Sequence, residues 1–200
     1  MQCALTIAAL AAAAIPLAGC GKEDAAEQAE PADRTAGGLP PSGTAAGFVT
    51  RLAVTDLYEV AAGRLALERA TTPAVRRFAE TMVADHQRTS AGLQAELARL
   101  KLNVRPPAEP DARRRELLAD LRAAPAAEFE DRYIDQQMEA HDNASFLLQE
   151  FAENGEPASL KEWARRTAPV IENHRQMAYA LDRVDTGRSA QGGAAGGQRR

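Results

Sequence analysis

Four long stretches of the chain repeat apolar side chains at every third or fourth position. In the second stretch Phe78 and Met82 share one face, and Leu93 and Leu97 continue it. This spacing is typical of amphipathic α-helices with one buried side. It predicts long helices over roughly 48–70, 73–101, 126–153 and 158–184. Strand-type alternation is absent between them, so the pattern predicts an all-α fold.

The breaks between these stretches predict how the helices connect. Thr72 and Pro73 suit an N-cap and a first helical turn, and 154–157, "NGEP", suits a tight turn. Between the two hairpins, 103–111 contains three prolines, and a short helix is predicted over 112–122. Two antiparallel hairpins joined by a crossover with a short helix make a four-helix bundle over 48–184.

The first residues read as a targeting segment. Residues 4–19 are apolar and uncharged but too short to span a membrane comfortably, which predicts a signal peptide over 1–19. The segment ends in Leu-Ala-Gly-Cys, which resembles the lipobox of bacterial lipoproteins, although Met1–Cys3 supplies no basic residue. The resemblance implies that Cys20 is lipidated and anchors the chain to a membrane. The alternative is an ordinary cleaved signal peptide that ends in an incidental cysteine.

The segments on either side of the bundle predict how the domain is attached at the cell envelope. Residues 20–47, rich in small residues, Gly and Pro, predict a flexible tether, and residues 185–200 predict a disordered Gly-rich tail. Gly21, rather than Asp, follows the cysteine, which favours the periplasmic face of the outer membrane. The lipid on Cys20 would make the membrane a partner of the protein. The net charge is −4 and basic residues are interleaved with acidic ones, so we expect no nucleic-acid partner.

Polar side chains interrupt the apolar face of each long helix. They are Glu59, His86, His141 and His174. Glu59 and His86 lie about 13 and 14 residues from the first turn, and His141 and His174 about 15 and 17 from the second. Residues at equal distances from a hairpin turn lie at equal heights, so we expect the four side chains to meet near mid-bundle.

Such a set suits a single transition-metal ion, because imidazole binds Zn, Cu, Fe and Ni and a carboxylate can complete the site. Asp56 is a possible extra ligand, and Asp85 and Tyr133 are candidates for an outer layer around the ligands. A methionine accompanies each histidine on its face, and these thioethers would suit Cu(I): Met82, Met138 and Met177. The alternatives are methionines that only fill the core and a metal-free network of paired polar groups.

Four quoted segments resemble a bacterial family known as domain of unknown function 4142. They are "DLYEVAAGRLAL", "FAETMVADH", "FEDRYIDQQMEAH" and "APVIENHRQMA", within residues 48–183. The recurrent family positions are Glu59, Asp85, His86, His141, Pro169 and His174, whereas Ala140 replaces a frequent Asp. The resemblance implies a ferritin-like four-helix bundle, often an outer-membrane protein, and implies no established activity.

Two functional hypotheses follow from the sequence. The first is a non-enzymatic, lipid-anchored envelope protein with a stress or structural role. The second is a metal-binding or redox protein that uses the central cluster. No nucleophile arrangement or phosphate loop is visible, and the Glu-x-x-His motif of di-iron bundles is absent, because Val83, Met138 and Ile171 stand three residues before the histidines.

Overall fold

A computed structural model describes the backbone of residues 40–195 and the side chains of residues 40–184. It contains five helices: α1 Ala45–Arg69, α2 Pro73–Arg99, α3 Ala112–Ala123, α4 Phe129–Asn154 and α5 Ala158–Ala195. No strand occurs in this part of the chain. The prediction of an all-α helical bundle is confirmed.

The turn between α1 and α2 differs in one respect from the prediction. Pro73 occupies the first turn of α2, but the Thr72 side chain makes no capping hydrogen bond. The Glu130 carboxylate of α4 accepts the backbone N–H of Thr72 at 2.8 Å instead. This hydrogen bond ties the turn between α1 and α2 to α4, and it serves the N–H of Thr72 itself rather than the donors inside α2 that a Thr72 cap would accept.

Contacts between helices fix their directions. Phe48 stacks on Phe151 with ring centroids 4.0 Å apart, and Tyr58 donates to Gln136 at 2.8 Å, so α1 and α4 are antiparallel. α2 and α5 are also antiparallel, because Asp85 meets His174 and Glu96 meets Arg166. With antiparallel α1–α2 and α4–α5 hairpins, α1 and α5 run one way and α2 and α4 the other.

The crossover between the hairpins packs along α1. Arg114 of α3 donates to Thr55 at 2.6 Å, and Arg69 at the end of α1 donates to the Ala124 carbonyl at 2.6 Å. These contacts span most of the length of α1. The crossover therefore returns the chain to the other end of the bundle before α4 begins.

Two apolar clusters fill the bundle, one towards each end. The first contains Phe78, Met82 and Phe129, and the second contains Phe48 and Phe151. Along each of the four long helices, buried polar residues separate the two clusters. These residues are Asp56, Glu59, His86, Gln137, His141 and His174. The core is therefore apolar at both ends and polar in a central layer.

The C-terminal boundary differs from the prediction. The backbone of α5 is helical to Ala195, beyond residue 184 where we expected the helix to end. No proline follows Pro169, so nothing in the local sequence forces a stop. The side chains from 185 onward and residues 196–200 lie outside the described residues, as do the predicted signal peptide, Cys20 and most of the tether. Within the part that is described, no helix combines the length and apolarity of a membrane span.

Candidate metal centre

Three histidines from three helices meet in the central layer. His86 of α2, His141 of α4 and His174 of α5 are at most 1% exposed. One ring nitrogen of each lies within 4.8 Å of those of the other two. These three side chains therefore lie together at one level of the bundle, as expected from their similar distances to the hairpin turns.

His86 is held by a carboxylate on α1. Its Nδ1 lies 2.9 Å from Asp56 Oδ1, and Ser90 donates to the other oxygen of Asp56 at 2.9 Å. A carboxylate only accepts, so Nδ1 carries the proton and Nε2 remains for another contact. Burial lowers the pKa of His86, but the hydrogen bond and charge of Asp56 outweigh it and raise the pKa above its usual value.

His141 is held by its own helix. Its Nδ1 donates to the Gln137 carbonyl at 2.8 Å, so Nε2 of the neutral ring carries a lone pair. This Nε2 lies 3.4 Å from Nε2 of His86. Burial, together with the neighbouring His86, lowers the pKa of His141 to about 3. His141 is therefore neutral at ordinary pH.

His174 is held by a carboxylate on α2. Its Nε2 lies 2.9 Å from Asp85 Oδ2, whereas its Nδ1 is buried and has no partner among the described residues. Burial lowers the pKa of His174 despite the opposing bond from Asp85. Asp85 is 22% exposed and also pairs with Arg88.

The three rings thus share one arrangement. Each uses one nitrogen for an acceptor on the outside of the group: a carboxylate for His86 and His174, and a backbone carbonyl for His141. The second nitrogens of His86 and His141 lie 3.4 Å apart, and that of His174 has no partner among the described residues. Metal-bound histidines are typically held in this way, because the outer acceptor fixes both the tautomer and the ring orientation.

Most of the chain matches one known protein family. The family model described as Domain of unknown function (DUF4142) matches residues 29–181. The chain belongs to the DUF4142 family. No curated protein and no solved structure matches it. The family assignment names no activity, so any function must be argued from the site.

In this DUF4142 domain Glu59 lies beside the histidine group. It is fully buried, and neither carboxylate oxygen has a hydrogen-bond partner among the described residues. Burial raises the pKa of Glu59 to about 7, against the opposing influence of His86 and the nearby Gln137 amide. Neither Glu59 nor Asp56 belongs to the group whose ligand atoms lie within 4.8 Å of one another. Asp56 instead serves as the outer partner of His86.

The methionines and Tyr133 lie with the apolar cluster that contains Phe78. Met82 is buried there, and Met138 and Met177 pack against its surface. The Met177 sulfur accepts a contact from Asn173 at 3.5 Å on the exposed side of α5. Tyr133 is buried against Phe78, and its hydroxyl has no hydrogen-bond partner among the described residues.

The sequence reasoning did not assign a role to two residues of the site. Ser90 supports Asp56, and Gln137 supplies the carbonyl that holds His141. Their spacing from the histidines could have identified both residues, because Ser90 lies four residues after His86 and Gln137 lies four residues before His141. Side chains four residues apart share a helix face.

Proposed function

We propose that this DUF4142 protein is anchored in the cell envelope by a lipid on Cys20 and binds one transition-metal ion between His86, His141 and His174. The observation that carries the proposal is the division of ring nitrogens. Each histidine uses one nitrogen for an outer acceptor, and one ring nitrogen of each lies within 4.8 Å of those of the other two.

The distance between two of the rings supports a shared cation. Metal–nitrogen bonds of about 2.0–2.1 Å at tetrahedral angles place two ligand nitrogens roughly 3.4 Å apart. The Nε2 atoms of His86 and His141 are 3.4 Å apart. If both rings were neutral, two lone pairs would face each other at this distance, and a cation between them would turn that repulsion into binding. One ring nitrogen of His174 lies within 4.8 Å of theirs.

The ligand types favour one divalent ion such as Zn, Cu, Fe or Ni. Imidazoles bind as neutral rings, and the lowered pKa of His141 and of His174 keeps both rings neutral. The absence of Glu-x-x-His argues against a ferritin-type pair of iron ions. The packing of the methionines in the apolar cluster gives less support to a thioether-rich Cu(I) site.

A second candidate is a bundle in which the same residues form a metal-free structural network. The raised pKa of His86 favours it, because a protonated His86 could donate to both Asp56 and His141. The protein would then have a non-enzymatic structural or stress role at the envelope. Metal content separates the two candidates directly.

The test uses the full-length chain, produced without a histidine tag and analysed for metals as purified. Titration with Zn(II), Cu(I) and Fe(II) should show one ion per chain. His174→Gln should weaken binding by more than the roughly 10–100-fold that loss of an outer partner costs. Asn173→Ala, on the exposed face next to it, should leave binding unchanged. No retained ion and no binding at micromolar concentrations would favour the structural network.

The anchor is tested separately in cells. The wild-type protein should remain in the membrane fraction and should incorporate a labelled fatty acid. Cys20→Ala should incorporate none and should leave the membrane fraction. An unlabelled wild-type protein would show that the segment before Cys20 is not a lipoprotein signal.

A further inference from the structure

Unpartnered polar atoms gather on one side of the histidine group. Three buried residues contribute them: both oxygens of Glu59, both amide atoms of Gln137 and the hydroxyl of Tyr133. Burying a polar atom without a partner costs free energy, and native proteins rarely leave several such atoms together. This set points to a ligand that would satisfy them.

Helix directions place Glu59 and Gln137 on the same side of the histidines. Glu59 lies one turn after Asp56, the partner of His86, and Gln137 lies one turn before His141. Because α1 and α4 are antiparallel, a step forward on α1 and a step backward on α4 lead towards the same end of the bundle. Both residues therefore lie one turn from the histidines, on the side of the Phe78 cluster. Tyr133, a further turn along α4, closes this side.

Three nitrogens do not complete the surroundings of a transition-metal ion. Such ions take four or more ligands, and open sites with three protein ligands bind water or a substrate in the remaining position. Glu59 does not fill the fourth position in this structure, because it is not among the groups within 4.8 Å of one another. Its oxygens and the Gln137 amide instead offer acceptors and donors on that side.

We propose that the ion keeps one coordination position on the Glu59 side, and that this position takes a small oxygen ligand, water or hydroxide, which a small anion can replace. The inference rests on the proposed metal site. Glu59 accepts hydrogen bonds from such a ligand, and Gln137 can both donate and accept. The site is then of the open, exchangeable kind and differs from a closed structural site.

Azide titration of the full-length protein loaded with one equivalent of Co(II) tests this position. Addition of azide should change the visible Co(II) spectrum with saturation at one azide per ion. Glu59→Gln should still bind Co(II) and, at pH 8, should bind azide about tenfold more tightly, because a buried carboxylate near the anion is removed. Glu80→Gln, exposed on α2, should behave like the wild type. Thermal melts establish that each variant is folded.

The outcomes separate the inference from the proposed function. If Co(II) binds but azide changes nothing, and Glu59→Gln weakens Co(II) binding, then Glu59 is itself the fourth ligand and the open position is refuted. If azide binds but Glu59→Gln leaves its affinity unchanged, the position does not lie on the Glu59 side. If the wild type binds no Co(II), the metal site itself is refuted.

Discussion

Replacing Glu59 by Gln should stabilise the metal-free protein at pH 8 and have little effect at pH 5. Glu59 is fully buried, and neither oxygen has a hydrogen-bond partner among the described residues. Burial raises its pKa from 4.5 to about 7. The folded state therefore resists the ionised form, whereas the unfolded state accepts it readily. Gln has nearly the same shape and never ionises.

The size of the effect follows from the shift in pKa. A raised carboxyl pKa contributes stability that is fully present below pH 4.5 and is lost as the pH rises through about 7. Each pKa unit corresponds to about 1.4 kcal/mol, so at pH 8 the ionised carboxylate costs the wild type roughly 3 kcal/mol. At pH 5 the cost is below about 1 kcal/mol, because the folded state still holds its proton. The amide adds donors that also need partners, which offsets about 1 kcal/mol of the gain.

The assay is urea and thermal unfolding of the chelator-treated protein, followed by circular dichroism at pH 8 and pH 5. At pH 8 the Tm of Glu59→Gln should rise by roughly 4–10 °C, since 1 kcal/mol shifts the Tm of a domain this size by about 2–4 °C. Glu80→Gln, on the exposed side of α2, serves as the matched control and should change neither value. Equal stabilisation at both pH values, or a loss of stability at pH 8, would refute the reasoning. Equal stabilisation would mean that the pKa of Glu59 is not raised, and a loss of stability at pH 8 would mean that the carboxylate is well paired in the folded protein.

Three further predictions concern the same layer and its surroundings. The pKa of His141 is lowered to about 3, so acidification from pH 6.5 to 5 should cost the metal-free wild type about 2 kcal/mol of stability through this residue. In urea unfolding His141→Gln should therefore lose less stability than the wild type over that range, and equal losses would contradict the prediction. Asp85→Asn should weaken Zn(II) binding about 10–100-fold in a competition titration, because His174 loses its outer acceptor. Unchanged affinity would show that Asp85 does not support the metal site. Gly63→Val should cost about 1–3 kcal/mol in urea unfolding, because a Cβ there lies 2.8 Å from a Val83 methyl, whereas Gly43→Val, with no atom within 4 Å, should be neutral.

Much of the layout of the candidate site could be predicted from helical spacing. Apolar positions identify the buried face, and the number of residues to each hairpin turn gives the height. Those two quantities are enough to place His86, His141 and His174 in one layer. The partner of each ring could not be predicted in the same way. The sequence marks Asp85 only as a candidate for the outer layer around the ligands, and the structure pairs it with His174 of α5.

Contacts between side chains of different helices decided which residues of the site are paired. Asp56 and Glu59 lie one turn apart on α1. Asp56 is bound by His86 and Ser90, whereas Glu59 has no hydrogen-bond partner within the described part of the chain. A sequence does not distinguish these two carboxylates, because their difference depends on rotamers and on the residues of other helices that surround them. The same holds for Glu130 of α4, which accepts the backbone N–H of Thr72 from across the bundle.

The sequence by itself therefore determined the helices, the two hairpins and the level at which the polar residues meet, because these depend on spacing along one chain. Only the tertiary structure decided which nitrogen of each histidine has an outer partner and which carboxylate has none. Hydrogen bonds depend on distances of about 3 Å between side chains of different helices, and periodicity alone does not set distances that fine. The inference of an open position at the candidate metal centre rests on this second kind of information.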